Sequence, residues 1–127
     1  MNILLVDDEK DIAEMLAHQI RRSNYSVAVA TSVPKAIEII DSEAQIDLLV
    51  TDAHLPDGNV RNILSHFKSR FPTSKMMVIS GRLEAKENIE RDLPGINLDF
   101  LEKPFEIKTL VSWIAATLNA MQQKTGS

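Results

Sequence analysis

Acidic side chains follow two aliphatic runs that are predicted to be buried strands. Asp7 and Asp8 come directly after Asn2–Val6, and Asp52 comes directly after residues 46–51. Carboxylates that are crowded together resist ionisation, so their convergence at the ends of neighbouring strands would require a cation. A hard divalent ion that prefers oxygen ligands, above all Mg²⁺, would relieve the repulsion and keep ligand positions open for water and phosphate. The sequence therefore predicts a Mg²⁺ site formed by these acids.

Further polar groups stand at or just beyond the carboxyl ends of predicted strands. Ser80 closes the fourth predicted strand, Lys103 follows the fifth, and the backbone carbonyl of His54 lies two residues past Asp52. The carbonyl oxygen would be another ligand for the cation, and the imidazole would project at the mouth of the site. The hydroxyl of Ser80 and the compact charge of Lys103 both suit the oxygens of a phosphoryl group. The chemistry predicted at this site is therefore the handling of phosphate with the help of Mg²⁺.

The elements that must position these groups alternate along the chain. Aliphatic runs predict five strands, at residues 2–6, 27–30, 46–51, 76–80 and 98–101. Apolar residues at helical spacing predict a helix after each strand, and Ser32 is predicted to cap the second helix. Alternating strands and helices predict an α/β fold, a five-stranded parallel sheet with helices on both faces. Ligands of such sheets bind at the carboxyl ends of the strands, where the acids stand.

Composition restricts the classes of function. The chain has 127 residues, of which 44% are hydrophobic and 25% charged, so one globular domain is predicted. The absence of cysteine excludes a thiolate metal site and a cysteine nucleophile. A net charge of −4 argues against direct contact with nucleic acid. No apolar run is long enough to cross a bilayer and no signal-peptide pattern opens the chain, which predicts a cytoplasmic protein that does not bind membranes.

The motifs around these residues resemble those of one family. LLVDDE, DLLVTDAHLPDG, VISG and LEKPF occur in the order and at the separations found in the receiver domain of two-component response regulators. The resemblance extends over roughly residues 2–120 and implies a flavodoxin-like (βα)5 receiver fold. It places the receiver domain at residues 1–121 and leaves residues 122–127 as a polar tail or the start of a linker.

The resemblance implies a role for each residue of the site. Asp52 would accept a phosphoryl group from a histidine kinase or a histidine phosphotransfer protein, in a reaction that depends on Mg²⁺. The cation would be held by Asp7, Asp8, Asp52 and the His54 backbone carbonyl. Lys103 would pair with the phosphoryl group. Apart from taking up the phosphoryl group and slowly losing it, a receiver domain catalyses no reaction, so the chain is not expected to be an enzyme.

The same resemblance implies a switch. Ser80 would swing toward the phosphoryl group, and Phe100 would turn into the space that the hydroxyl vacates. The surface that changes would be the fourth helix, the fifth strand and the fifth helix, roughly residues 82–120. This surface would control a downstream effector domain or a partner protein, or would join two copies in a phosphorylation-induced homodimer. The bond between Lys103 and Pro104 is usually cis in the family.

Two other functions are compatible with parts of the pattern. A Mg²⁺-dependent phosphohydrolase would use Asp52 as its nucleophile and form an aspartyl phosphate. That class typically places a second acid two residues later, where this chain has His54. A degenerate receiver would be a docking module that is independent of phosphorylation, although the presence of every site residue argues against it.

Overall fold

In the computed structural model, which describes residues 1–56 and 58–125 (for residues 83 and 122–125 the backbone alone), strands and helices alternate as predicted. The strands are β1 (Asn2–Val6), β2 (Ser26–Ala30), β3 (Leu48–Asp52), β4 (Lys75–Ser80) and β5 (Asp99–Glu102). The helices are α1 (Lys10–Arg21), α2 (Val33–Ser42), α3 (Val60–Arg70), α4 (Leu83–Asp92) and α5 (Ile107–Thr125).

The strands of the described chain lie in one parallel sheet, in the order β2-β1-β3-β4-β5. β1 and β3 are neighbours in the sheet, but the segments that follow them lead to opposite faces. α1 packs on one face and α3 on the other. A crevice forms where neighbouring connections diverge in this way, outside the carboxyl ends of the two strands. The topology therefore places a binding site next to β1 and β3.

Apolar layers on both faces of the sheet explain why the strands are aliphatic throughout. On one face, α2, α3 and α4 pack against the strands through buried residues that include Ile40, Phe67 and Ile89. On the other face, α1 and α5 pack through residues that include Leu16 and Ile114. Strands buried on both faces are typical of parallel sheets. The predicted fold class is confirmed, and the architecture is flavodoxin-like.

The ends of several elements differ from the predicted ones. β3 begins at Leu48, two residues later than predicted, and its pairing with β4 includes Asp52, which lies opposite Ile79. β5 lies one residue later than predicted. α5 continues past Met121 to Thr125, so the helix extends into the predicted tail, whose last two residues lie outside the described residues.

Helix starts follow local hydrogen bonding. Ser32 caps α2, as predicted, because its side chain accepts a hydrogen bond from the N–H of Lys35 (3.2 Å). Asn59 caps α3 in the same way by accepting one from the N–H of Arg61 (2.9 Å). Such caps satisfy backbone donors that have no partner within the first turn. Among the helices that the structure describes, none is long and apolar enough to cross a membrane.

Candidate functional site

The sheet brings the three predicted acids together. Val6 pairs with Thr51, so the residues that follow them, Asp7 and Asp52, lie side by side at the carboxyl ends of β1 and β3. Asp8 stands next to them, and the three side chains offer ligand oxygens within 4.8 Å of one another. Asp7 and Asp52 are only 7% and 6% exposed, whereas Asp8 is open to solvent. The predicted carboxylate cluster is therefore present.

Backbone hydrogen bonds orient the two buried carboxylates. Oδ1 of Asp7 accepts a hydrogen bond from the N–H of Glu9 (2.9 Å). Oδ1 of Asp52 accepts one from the N–H of His54 (2.9 Å). In both cases the donor lies two residues further along the chain, a pattern by which aspartate side chains stabilise turns. The loops that follow β1 and β3 therefore hold their acids in place.

Lys103 pairs directly with Asp52. Its Nζ donates a hydrogen bond to Oδ2 of Asp52 (2.8 Å), and its backbone N–H donates one to the carbonyl oxygen of Ser80 (2.8 Å). The bond to Pro104 is cis, as the resemblance implies. Partial burial tends to lower the pKa of Lys103, but the hydrogen bond to Asp52 and the charges of nearby carboxylates outweigh burial and raise that pKa. Lys103 is therefore a cation at neutral pH, beside the cluster.

The cluster carries an excess of negative charge. Burial raises the pKa of Asp7, the hydrogen bond from Glu9 lowers it, and the charge of Asp52 raises it again. Smaller contributions from Lys103 and Asp8 have opposite signs, and the resulting pKa lies above the ordinary value of 3.8. The candidate ligands are three carboxylates, and one of them, Asp52, is paired with the ammonium group of Lys103. This set fits a hard divalent cation such as Mg²⁺, which prefers oxygen ligands.

The raised pKa of Asp7 predicts how the stability of the metal-free protein depends on pH. Between pH 3.8 and the higher pKa of the folded state, the folded protein binds more protons at Asp7 than the unfolded chain does. The free energy of unfolding therefore falls as the pH rises through this interval. Asp7→Asn has no carboxyl group to lose a proton, so it avoids this fall in the free energy of unfolding. Its amide oxygen can still accept the hydrogen bond from the N–H of Glu9. We expect the variant to gain about 0.5–2 kcal/mol at neutral pH in EDTA.

Urea unfolding of wild type and Asp7→Asn, between about pH 4 and about pH 7 in EDTA, measures this difference. The advantage of the variant should shrink toward the acidic end of the range. Asp11→Asn, which removes an exposed acid from the first turn of α1, is the matched control and should show no such trend. A difference between wild type and Asp7→Asn that stays constant over the range would show that the pKa of Asp7 is not raised.

Ser80 lies at the carboxyl end of β4, the strand next to β3, and is only 6% exposed. Its Oγ accepts a hydrogen bond from the N–H of Arg82 (3.0 Å) and donates one to the carbonyl oxygen of the same residue (3.1 Å). Nε2 of His54 lies 3.5 Å from this Oγ. The hydroxyl therefore connects the loop after β4 with the loop after β3.

Phe100, the predicted aromatic switch, lies within β5 and is half-buried. Its ring packs against the apolar layer beneath α2, α3 and α4. Nζ of Lys86, in α4, lies 5.7 Å from the centre of the ring, a distance at which a cation is attracted to an aromatic face. Phe100 therefore contacts the helix that is expected to respond to phosphorylation.

The imidazole of His54 makes a contact that the sequence alone does not predict. The sequence places this side chain at the mouth of the site and assigns a role to the backbone carbonyl, whereas the structure also brings Nε2 to Ser80. The signal that could have revealed the contact is strand order. β3 and β4 are neighbours, with Asp52 opposite Ile79, so the loops that follow them lie close together. Aliphatic runs alone do not specify that order.

Comparisons with known proteins agree with this geometry. The family model of the response regulator receiver domain matches residues 3–115. The response regulator protein PilR of Pseudomonas aeruginosa is 31% identical over 115 residues, which are 91% of this chain but only 25% of PilR. The receiver domain of the hybrid histidine kinase CckA is 28% identical, with a TM-score of 0.76 over 93% of this chain and 99% of that one. A CheY-like receiver domain protein from Methanospirillum hungatei has the same fold, with a TM-score of 0.83 at 22% identity over 97% of both chains.

Proposed function

The chain belongs to the response regulator receiver domain family, and we propose that it carries its signal as a phosphoryl group on Asp52. The observation that supports this assignment is the setting of Asp52, which is nearly buried, lies within 4.8 Å of two other carboxylates and is paired with Lys103. Receiver domains interact with histidine kinases and with effector domains. The donor would therefore be the phosphohistidine of a histidine kinase or of a histidine phosphotransfer protein. A receiver domain is a signalling domain rather than a dedicated enzyme.

Phosphoryl transfer would proceed by attack of a carboxylate oxygen of Asp52 on the phosphorus. The new O–P bond forms as the P–N bond to the donor histidine breaks, and the departing imidazole takes up a proton from solvent. The N–H of His54 and the ammonium group of Lys103 fix the orientation of the carboxylate, and Lys103 balances charge on the phosphoryl oxygens. Mg²⁺, when held by Asp7, Asp8, Asp52 and the His54 carbonyl, would supply further neutralisation of that charge.

The donor would approach between α1 and the loop that joins β5 to α5. A groove there is lined by Asp7, by Lys103 and by the apolar side chains of Ile12 and Met15. Ile12 and Met15 are 38% and 46% exposed, which is high for large apolar residues. Exposed apolar surface beside a reactive group is typical of a site for a protein partner. This groove therefore suits a protein that must bring a histidine to Asp52.

The output would depend on Ser80 and Phe100. Oxygens of a phosphoryl group on Asp52 would draw the Ser80 hydroxyl away from Arg82, and Phe100 would turn into the vacated space. Because Phe100 contacts Lys86, the movement would reach α4 and thus the output face, which we define as α4, β5 and α5. The phosphoryl group would shift the population toward the conformation with which it makes better contacts. The output face would then control an effector domain or a partner protein, or join two copies of the chain.

Phosphoryl uptake is the direct test of this proposal. Wild-type protein incubated with Mg²⁺ and acetyl phosphate should gain a single phosphoryl group, which intact-mass spectrometry detects and hydroxylamine removes. EDTA should prevent the gain. Turnover of small phosphate esters without accumulation of phosphoprotein would favour a phosphohydrolase instead. No uptake at all would favour a docking module that is independent of phosphorylation.

The proposed output face predicts where amide hydrogen exchange will change. Beryllofluoride, a mimic of the phosphoryl group, should alter exchange in α4, β5 and α5 more than in α1 and α2. The largest change should occur in α4, because most of its described side chains are exposed and only Ala85 and Ile89 among them are buried, so that α4 is weakly anchored. Mass spectrometry of peptides from the protein with and without beryllofluoride measures the pattern. Changes confined to α1 and α2 would contradict the proposed face.

A further inference from the structure

The hydroxyl of Ser80 has a contact that the proposed function does not use. Nε2 of His54 lies 3.5 Å from Oγ of Ser80, in addition to the backbone N–H and carbonyl of Arg82 at 3.0 and 3.1 Å. We propose that His54 is a positioning residue that restrains Ser80 in its unphosphorylated orientation and thereby lowers the affinity of the site for a phosphoryl group. This inference rests on the proposed role of Asp52.

The neighbours of the hydroxyl fill its hydrogen-bonding capacity. A serine hydroxyl has one proton to donate and two lone pairs with which to accept. One lone pair accepts a hydrogen bond from the N–H of Arg82, and the hydroxyl donates its own hydrogen bond to the carbonyl of Arg82. The second lone pair then accepts from His54, in the tautomer that carries its proton on Nε2. A phosphoryl oxygen would accept a hydrogen bond from the hydroxyl. Ser80 must therefore give up its present partners before it can turn toward Asp52 and donate that bond.

His54 is held where this contact can form. Its backbone N–H donates to Oδ1 of Asp52 (2.9 Å), and Asp52 pairs with Ile79, the residue before Ser80. These two constraints keep the loop after β3 beside the loop after β4. The side chain of His54 is exposed, so it is not part of the packed core. A substitution can therefore remove the contact with Ser80 without opening a cavity.

Binding of beryllofluoride in the presence of Mg²⁺ measures the restraint. His54→Phe keeps an aromatic ring but has no nitrogen that can bond to the hydroxyl, so Ser80 should turn more readily. We expect the beryllofluoride concentration at half-saturation to fall about two- to fivefold, the effect of one weak hydrogen bond. His54→Gln, whose amide can still donate to Ser80, should stay closer to wild type.

Ser80→Ala provides the matched control. In a chain with Ser80→Ala, the further change His54→Phe should leave the beryllofluoride concentration at half-saturation unchanged, because the hydroxyl that His54 restrains is absent. An equal effect of His54→Phe in both backgrounds would overturn the inference, since His54 would then act without Ser80. The inference would also be overturned if the beryllofluoride concentration at half-saturation stayed the same or rose in His54→Phe alone. If the wild-type chain binds no beryllofluoride, the proposed function of Asp52 fails and the inference fails with it, an outcome distinct from the others.

Discussion

Asp52→Asn is expected to abolish phosphoryl uptake from acetyl phosphate, under conditions in which the wild-type chain should gain a single phosphoryl group. The amide has nearly the same shape as the carboxylate and can still accept the hydrogen bond from His54, so the loop after β3 should keep its conformation. It lacks the negative charge and the nucleophilic oxygen that attack on phosphorus requires. We therefore expect no detectable labelling, not a partial reduction.

Intact-mass spectrometry of Asp52→Asn and wild type, before and after treatment with hydroxylamine, measures this difference. Asp11→Asn is again the matched control, because it makes the same chemical change at an exposed acid of α1 that lies outside the cluster. Asp11→Asn should label like wild type. Equal labelling of Asp52→Asn and wild type would show that another residue is the acceptor, and peptide mapping of the labelled chain would identify it.

The location of the site could be predicted because it depends on where strands end, and strand ends are visible in the sequence. Aliphatic runs such as Asn2–Val6 indicate strands buried on both faces, and a parallel sheet binds ligands at the carboxyl ends of its strands. Asp7 and Asp52 stand at two such ends. The pairing of Val6 with Thr51 then brings the two acids side by side, as the prediction requires.

Exact strand limits and contacts between loops could not be predicted in the same way. The start of β3 at Leu48 depends on its backbone partners in β1 and β4, which the residues of β3 do not encode. The pairing of Lys103 with Asp52, and the approach of His54 to Ser80, depend on distances between loops that follow different strands. Those distances follow from strand order and from the twist of the sheet, which are properties of the assembled sheet and not of any single segment.

Asp8→Asn is expected to have opposite effects on stability with and without Mg²⁺. Without the cation, the substitution removes one of three carboxylates that lie within 4.8 Å of one another, so the melting temperature should rise. With the cation, it removes a charged ligand, so part of the stabilisation by Mg²⁺ should be lost. Because Asp8 is exposed and solvent screens its charge, the gain without Mg²⁺ should be the smaller effect.

The size of the Mg²⁺ effect follows from mass action. At a Mg²⁺ concentration about ten times the dissociation constant, binding to the folded state alone raises the free energy of unfolding by about 1.4 kcal/mol. For a domain of this size, that corresponds to an increase of roughly 3–6 °C in melting temperature. A tenfold weaker affinity in Asp8→Asn would reduce the stabilisation at the same concentration to about 0.4 kcal/mol.

Thermal melts of wild type, Asp8→Asn and Asp11→Asn in EDTA and in millimolar Mg²⁺, at matched ionic strength, measure both effects. Asp11→Asn should keep the full Mg²⁺-dependent shift, because its charge lies outside the cluster. A wild-type melting temperature that does not respond to Mg²⁺ would contradict a cation site at these acids, and an unchanged shift in Asp8→Asn would remove Asp8 from the ligand set. A lower melting temperature of Asp8→Asn in EDTA would mean that Asp8 stabilises the fold through a contact of its own, which outweighs its repulsion from Asp7 and Asp52.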